Sequence, residues 1–346
     1  MGQFEGISEA DAIGAAMKER ISKRVSIILF CAVALLMAAI IIIHHNPAAN
    51  QQEEILKKVI SCAVIAFSCV VFIVLYEKVI TLPVELYQNR HLIWKLAKND
   101  FKKRYAGSYL GMVWAMVQPV ITVVMYWLVF DIIMHGAGRA MRGDVEISFV
   151  LFLTSGLVPW FYFTEAWTNG THALLEYNYL VKKVVFKISI LPIIKVIGAT
   201  FIHAFFACIL VVIAAFYGYF PTIYMLQIFY YSFCTFVLVL ALSYTTCALM
   251  VFVRDVAQIL AIVLQIGMWA TPIMWDFGAI GAGWAKFLKL NPMVYIVNGY
   301  RDAIYGHSWF FEDFFSTMYF WIITVVLFGI GAMTFKKLKV HFADVL

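Results

Sequence analysis

The sequence predicts an all-α polytopic membrane protein, and three observations lead to this fold class. Hydrophobic residues make up 64% of the 346-residue chain and charged residues only 13%, whereas soluble domains carry roughly 45–50% and about 25%. Apolar runs long enough to cross about 30 Å of hydrocarbon recur along the whole chain. Helices are the expected spanning form, because a backbone in lipid must satisfy its own hydrogen bonds. The predicted spans are eight in number: Val25–Ile43, Val59–Tyr76, Met112–Met134, Ile147–Ala166, Ile188–Tyr217, Leu226–Val253, Val256–Trp275 and Phe315–Phe335.

Lysine and arginine residues set the predicted orientation, since they favour the cytoplasmic side of a membrane. They concentrate before the first run, after the second, between the fourth and fifth, and after the last. This bias predicts that both termini lie in the cytoplasm. We expect five regions: a cytoplasmic segment 1–24, an additional transmembrane hairpin 25–80, an amphipathic interface helix with its connector 81–111, a six-span core 112–338, and a cytoplasmic tail 339–346.

Residues 86–105 are too polar to cross a membrane, and they predict a helix that lies in the interface plane. Apolar residues recur on one side at helical spacing, and basic residues lie opposite. An ordinary basic linker is the alternative. The residues that define this interface helix are Trp94, Lys98, Phe101, Lys102 and Arg104.

The outside segment 276–314 is too apolar for a solvated loop, yet each half is too short to cross. Two short helices that dip into the membrane fit best, with a turn at Asn291-Pro292, because proline disfavours helix in the preceding residue. A pair of helices lying flat on the outer surface is the alternative. Since a buried arginine is costly unless it is paired or wetted, we expect Arg301 near a polar lumen, close to Asp302 or a ligand hydroxyl.

The inside connector 174–188 is short, half apolar and basic. A helix of this kind fits a groove on a partner protein, and a solvated turn explains the same spacing equally well. Another inside turn, at Arg254-Asp255, joins two long runs with a minimal number of residues. The candidate contact residues are Tyr177, Asn178, Leu180, Lys182, Lys183, Phe186, Arg254 and Asp255.

Aromatic residues make up 17% of the chain, and many lie within the predicted spans. Aromatic faces suit sugar rings, whose axial C–H groups pack on π electrons while the hydroxyls stay free to bond. Tryptophan and tyrosine also favour membrane interfaces, which is the alternative explanation for each residue. The candidates to line a glycan path are Tyr126, Trp127, Phe130, Trp160, Tyr162, Trp167, Trp269 and Trp275.

Several function classes are excluded or disfavoured. No Gly-Lys pair occurs, so the chain has no phosphate-binding loop and is not itself a P-loop ATPase. We expect no metal site and no cofactor on this chain. The spans contain few ionisable residues, mainly Glu165, Lys195 and His203, which disfavours proton-coupled transport. Lys195 lies close enough to the inner face to extend its ammonium group to the interface.

An ordered set of short motifs resembles the membrane-spanning subunit of the ABC-type polysaccharide exporters, which move O-antigen, capsule and teichoic-acid polymers. The resemblance covers residues 86–338. Two features depart from it: the hairpin 25–80 is additional, and Lys187 follows Phe186 where the family tends to have proline. The motifs are Trp94, Asp100–Lys102, Arg104-Tyr105, Gly107-Ser108, Leu110-Gly111, Trp114, Pro119, Asn178, Leu180–Lys183, Phe186, Leu191-Pro192, Arg254-Asp255, Thr271–Ile273, Asn291-Pro292 and Tyr300-Arg301.

The resemblance implies a homodimer with a channel at its two-fold axis, and two copies of a cytoplasmic P-loop ATPase that hold ATP and Mg. The connector 174–188 would be the coupling helix that enters the ATPase. The substrate would be a glycan on an undecaprenyl-type lipid carrier, moved outward across the bacterial plasma (inner) membrane, with no nucleic acid involved. The residues of the implied outer gate are Asn291, Pro292, Asn298, Tyr300 and Arg301.

Three alternatives remain at this point. An ABC permease that exports a drug or a lipid would share the fold and the partners. A membrane-bound glycosyl- or acyltransferase would need a catalytic set on one side of the membrane, and the outside carboxylates are scattered between loops. A non-catalytic scaffold would have no ATPase partner.

Overall fold

The structure is a computed structural model that describes residues 9–43, 51–104, 109, 113–134, 139–142, 145–181, 187–277 and 280–346. The chain divides into two compact units, Met1–Ile80 and Thr81–Leu346. The division falls at the end of the predicted additional hairpin.

The first unit is an antiparallel helical hairpin of α1 (Glu9–Ile43) and α2 (Gln51–Val79). Phe30 stacks on Phe72 with ring centroids 4.1 Å apart. Nearer the connection, the Lys58 ammonium donates to the Ile42 carbonyl at 3.2 Å, so the helices run in opposite directions. Many of the large apolar side chains are exposed, as expected of helices that face lipid.

In its described residues, the second unit is a helical bundle with one short hairpin of strands. Its elements are α3 (Thr81–Gln88), α4 (Arg90–Arg104), α5 (Trp114–Trp127), β1 (Arg139–Arg142), β2 (Val145–Ser148), α6 (Phe149–Glu176), α7 (Asn178–Val181), α8 (Leu191–Phe216), α9 (Gln227–Met250), α10 (Val256–Ala270), α11 (Ala282–Leu288), α12 (Pro292–Arg301), α13 (Phe314–Leu338) and α14 (Phe342–Val345). π-helical turns extend α5 over Leu128–Ile133 and α12 over Asp302–Gly306.

The core of the second unit surrounds α6, which packs against α8, α9 and α12. Small residues allow these close approaches. A Cβ atom on Gly170 would lie 2.3 Å from the Ser243 Oγ of α9. A Cβ atom on Gly267 of α10 would lie 2.9 Å from the Trp160 ring of α6. The two glycines therefore make room for side chains where α6 packs on α9 and on α10.

The predicted spans are confirmed in part. The described residues contain five helices that are long and apolar enough to cross a membrane: Lys23–Ile43, Phe149–Glu176, Ile188–Phe216, Ile223–Met250 and Phe314–His341. The other three predicted spans coincide with the shorter apolar stretches Lys58–Val74, Val120–Ile133 and Val256–Ala270, so the total of eight spans stays a prediction. Only α10 ends well before its predicted end, at Ala270 instead of Trp275. In α10 the cause is local: Thr271 precedes Pro272 and is extended, with φ −97° and ψ 136°.

The strand hairpin was not expected from the apolar pattern. β1 and β2 pair antiparallel, with Arg139 opposite Ser148 and Arg142 opposite Val145. Four residues in each strand cannot form a core of their own. The hairpin leads directly into α6, so it fixes the entry of the chain into the most buried helix.

The predicted interface helix is α4, and the side of it that faces the bundle is apolar. Ile93 and Ala97 are buried where α4 packs on α8. Lys98 and Lys102 are exposed on the other side. Trp94, expected on the apolar side, is 56% exposed, and its ring lies edge-on to Phe201 of α8.

The predicted pair of short helices is also present, as α11 and α12. Asn291 is the N-cap residue of α12: it is extended, its Oδ1 accepts from the Met293 N–H at 3.0 Å, and its Nδ2 donates to the Thr271 hydroxyl at 2.9 Å. The two helices differ in their surroundings. α12 is buried against α6 and α9, whereas Trp284 and Phe287 of α11 are exposed.

Candidate functional site

A buried lysine on α8 links this helix to the predicted interface helix α4 and to the end of α6, where the predicted coupling connector begins. The Lys195 Nζ lies 3.0 and 3.2 Å from the two carboxylate oxygens of Asp100 on α4, and 2.5 Å from the Glu176 Oε2 at the end of α6. Burying a charge is costly unless it is paired and hydrogen-bonded, and both conditions are met. Lys195 thus contacts Asp100 of the predicted interface helix and the half-exposed Glu176, and its reach to the membrane interface stays a prediction.

Tyr177 completes this lysine cluster, which consists of Lys195, Asp100, Glu176 and Tyr177. Its hydroxyl donates to Asp100, and the Lys195 Nζ lies 4.9 Å from the centre of its ring. Burial, followed by the hydrogen bond to the carboxylate, raises the pKa of Tyr177 well above its ordinary value. Tyr177 therefore stays protonated and remains a hydrogen-bond donor throughout the physiological pH range.

A second contact ties the other end of the connector to the interface segment. The Ser189 hydroxyl donates to the Glu85 carboxylate of α3, and the Ser189 carbonyl accepts from the Tyr244 hydroxyl of α9 at 2.7 Å. The chain between residues 177 and 189 is thus held at its start through Asp100 and at its end through Glu85. A displacement of this connector would act on α3, α4 and α8 together.

Only some of the predicted coupling residues lie in the described part of this connector. The expected helix 174–188 begins later than predicted, because residues 174–176 belong to α6 and α7 is a single turn. Asn178 is exposed, and Leu180 is partly buried against the core. Arg254 and Asp255 are exposed in the turn between α9 and α10. Lys182, Lys183 and Phe186 lie outside the described residues.

Three of the predicted path-lining aromatic residues pack inside the bundle instead. Trp160 and Tyr162 are fully buried, and the Trp167 Nε1 donates to the Thr246 hydroxyl at 3.2 Å. The Tyr162 hydroxyl bonds to Thr200 at 2.7 Å. Each of the three joins α6 to a neighbouring helix, and the part that each takes in a glycan path stays a prediction.

The other aromatic candidates lie nearer the surface. Trp127 and Trp269 are 47% and 65% exposed. Tyr126 and Phe130 are half-buried on α5 and its extension, and Trp275 is half-buried after α10.

A polar network connects α8 to α12 within the bundle. The His203 Nε2 lies 2.9 Å from both the Ser232 hydroxyl and the Tyr300 hydroxyl. Those two hydroxyls are 2.6 Å apart, and the His203 ring stacks on Tyr162 with centroids 4.3 Å apart. The network holds the buried face of α12 against α6, α8 and α9.

The predicted gate residues divide into buried and accessible members. Arg301 is fully buried: its Nη2 donates to the carbonyls of Ile273 at 2.9 Å and Phe152 at 3.4 Å, and its guanidinium lies 3.6 Å from the Phe152 ring centre. Backbone carbonyls and an aromatic face surround its guanidinium within one copy of the chain, and a polar lumen close to Arg301 stays a prediction. Tyr300 is likewise buried, whereas Asn298 lines a cavity.

The sequence reasoning missed two amide side chains on α10. Gln258 and Gln265 are both exposed, and their seven-residue spacing places them on one side of the helix with Ile262 and Trp269. Amides on an apolar membrane helix call for a polar neighbour. The heptad spacing of two amides within an apolar run is the sequence signal for this polar side of α10.

Together these features define a polytopic, α-helical membrane protein with paired charges inside its bundle. Residues 91–305 match the ABC-2 type transporter family, and the chain belongs to that family. The protein is therefore the membrane component of a transporter. The match begins at the second residue of α4 and ends within the extension of α12, so it covers both the lysine cluster and the Arg301 site.

Several curated relatives cover most of the chain. One is the O-antigen export system permease protein RfbA of Myxococcus xanthus, 28% identical over 262 residues, which are 75% of this chain and 97% of the relative. The protein of the same name from Klebsiella pneumoniae is 26% identical over 74% of this chain and 95% of its own. The polysialic acid transport protein KpsM of Escherichia coli is 24% identical over 68% and 89%. The predicted resemblance to polysaccharide export permeases is confirmed.

Proposed function

We propose that this chain is the permease subunit of an ATP-driven exporter that moves a lipid-linked polysaccharide outward across the plasma membrane of a bacterium. The observation that carries the proposal is membership of the ABC-2 type transporter family, together with relatives named for O-antigen export and polysialic acid transport. The chain has no phosphate-binding loop. ATP and Mg therefore belong to a separate P-loop ATPase, two copies of which dock on the cytoplasmic side.

The lysine cluster supports a route from the ATPase to the bundle. The connector after Glu176 is the coupling segment, and its exposed residues Asn178 and Tyr179 face away from the core. Closure of the ATPases displaces this segment. Lys195 and Asp100 then transmit the displacement to α8 and α4, because all three elements share one set of hydrogen bonds.

The exposed face of α10 supports a homodimer with the glycan path between the two copies. Gln258 and Gln265 can bond to sugar hydroxyls or to each other across a two-fold axis. Trp269 supplies an aromatic face on the same side. In this arrangement Trp127 is a further candidate for the path, since it too is exposed on the surface of a single copy.

The orientation follows the distribution of basic residues. Both termini and the lysine cluster lie in or next to the cytoplasm, and α11 and α12 lie on the outer side. Asn291 and Pro292 form the turn between these helices. In the proposed gate α11 moves and α12 is the fixed wall, because α12 is held by Tyr300 and Arg301.

Deletion of the gene in the source bacterium tests the proposed activity. The expected result is loss of one surface polysaccharide, with its lipid-linked form accumulating inside the cell, and recovery on complementation. An unchanged set of surface polysaccharides would refute the proposal. Loss of drug efflux or of a lipid transport activity in the same strain would instead identify another ABC export substrate.

Cross-linking tests the homodimer. In a variant whose six native cysteines are replaced, a Gln265→Cys substitution should form a disulfide-linked dimer in membranes upon mild oxidation. A Val212→Cys substitution on the exposed face of α8 is the matched control and should remain monomeric. Equal cross-linking at the two positions would show that α10 does not form the contact.

A further inference from the structure

The end of the second unit opposite the lysine cluster contains a cavity of about 600 Å³. Phe315 and Tyr319, from the start of α13, line it, whereas Phe335, near the end of α13, packs on Tyr244 beside the Ser189 contact. The other walls come from α11, α12 and the chain just before α13. The volume falls in the range of small-molecule sites, roughly 300–1,000 Å³.

Hydrogen bonds fix the aromatic walls of this cavity. The Tyr295 hydroxyl bonds to the Thr317 hydroxyl at 2.9 Å, and the Tyr319 hydroxyl donates to the Leu290 carbonyl at 2.8 Å. Gln227 holds the segment before α13 from both sides. Its Nε2 donates to the Ser308 carbonyl at 2.8 Å, and its Oε1 accepts from the Phe310 N–H at 2.7 Å. Walls that are already ordered lower the entropy cost of binding.

The polar lining carries both signs of charge. Lys286 and Lys289 come from the α11 side, and Glu312 and Asp313 come from the segment that enters α13. The Asn298 side chain contributes an amide from α12. A polyanion such as a phosphate-rich headgroup would be repelled by the carboxylates of Glu312 and Asp313. A ligand rich in hydroxyl groups suits the whole set, because a hydroxyl donates to a carboxylate and accepts from an ammonium or an amide.

We infer that this cavity is a saccharide-binding site, which holds a short stretch of glycan beside the outer gate. The aromatic residues Tyr295, Trp309 and Tyr319 provide the apolar surface, and Glu312, Asn298 and Lys286 provide the hydrogen bonds. The inference rests on the proposed function, since glycan reaches this face only if the chain exports it. The site is separate from the buried Tyr300 and Arg301, which join helices rather than line the cavity.

Ligand protection tests the site in the full-length chain reconstituted in nanodiscs. The probe is a set of oligosaccharides made by mild acid hydrolysis of the source bacterium's own surface polysaccharide. In the cysteine-replaced variant, labelling of an Asn298→Cys substitution by a membrane-impermeant maleimide should slow saturably. At ten times the midpoint concentration it should slow by about tenfold, as simple mass action requires. A Thr222→Cys substitution, exposed in the loop between α8 and α9, is the control and should show no change.

A second measurement uses the chain with its native cysteines. Saturation-transfer NMR with the same oligosaccharides should show binding, and Glu312→Gln should raise the midpoint concentration by about fivefold, as expected when a charge-assisted hydrogen bond becomes a neutral one of roughly half its strength. Asp344→Asn, at an exposed carboxylate in α14, should leave it unchanged. No protection at position 298 and no NMR signal would overturn the inference.

The two proposals fail separately. If deletion of the gene removes the surface polysaccharide but the oligosaccharides neither protect position 298 nor give an NMR signal, the cavity assignment is wrong and the export function stands. If deletion leaves the polysaccharide intact, the proposed function is wrong. Protection at position 298 would in that case still demonstrate a saccharide site.

Discussion

Replacing Lys195 with methionine tests whether the lysine cluster holds α4, α6 and α8 together. Methionine keeps the length and the apolar stem of the side chain but removes the ammonium group. The Asp100 side chain is 13% exposed. Its carboxylate would remain charged and would still accept from the Tyr177 hydroxyl, but it would have lost the Lys195 ammonium. Glu176 would lose the same partner, but it is 50% exposed and can be solvated. Loss of the ion pair with Asp100 should therefore cost more stability than loss of the ion pair with Glu176.

The magnitude follows from burial. Removing one partner of a buried ion pair costs about 3–5 kcal/mol, because the other charge is left uncompensated. An exposed pair contributes at most about 1 kcal/mol. We expect Lys195→Met to lower the free energy of unfolding by about 3 kcal/mol and Glu176→Gln by less than about 1 kcal/mol. The double variant Lys195→Met/Asp100→Asn should be more stable than Lys195→Met alone, since no buried charge then remains unpaired.

The assay is reversible unfolding in mixed micelles with increasing dodecyl sulfate, followed by circular dichroism. The double-mutant cycle gives the interaction energy between positions 100 and 195 directly. Export of surface polysaccharide in complemented cells should fall in the same order as stability. The cycle compares Lys195→Met, Asp100→Asn and the double variant. If the effects of the two single substitutions on the free energy of unfolding add within about 0.5 kcal/mol, the side chains act independently and the reasoning is refuted.

Three further predictions concern other parts of the chain. Tyr179→Asp, at a side chain that is 53% exposed on the coupling segment, should abolish co-purification of the ATPase without changing the melting temperature; normal co-purification would remove this residue from the contact. Gly299→Ala should destabilise the chain by about 1–3 kcal/mol through overpacking, because its Cβ would lie 2.0 Å from the Tyr231 ring. Gly281→Ala is the control and should be neutral, because nothing lies within 4 Å of its Cβ. Equal melting temperatures for the two variants would contradict this packing. Deleting residues 1–78 should lower the amount of assembled protein more than the export per molecule, measured by quantitative immunoblotting beside polysaccharide export; full assembly with no export would make the hairpin part of the mechanism.

The sequence predicted the parts of the fold that depend on local patterns. The length of the apolar runs identified the long helices. Apolar residues at helical spacing, with basic residues on the opposite side, identified α4. The Asn291-Pro292 pair located the turn between α11 and α12. Span lengths were less accurate, because an extended residue such as Thr271 ends a helix inside an apolar run. Composition averaged over a window does not detect such an end.

The pairing of buried charges could not be predicted, because it depends on tertiary distance. Lys195 finds Asp100 at a separation of 95 residues and Glu176 at 19. Arg301 uses the carbonyls of Ile273 and Phe152, and a carbonyl acceptor leaves no trace in side-chain identity. The sequence showed that these cations were costly in a membrane, but the groups that compensate them became evident only from the packing.

The positions of Lys195 and Arg301 have a consequence for biosynthesis. A chain made from its N-terminus places Asp100 and Glu176 at the membrane before Lys195 emerges, and Phe152 and Ile273 before Arg301. Each of these cations thus enters the bilayer when its partners are already present, and the chain need not hold an unpaired charge in lipid while it waits. Moving α4 to the C-terminus by circular permutation would reverse this order for Lys195, and the insertion machinery would then have to retain α8 without its main partner.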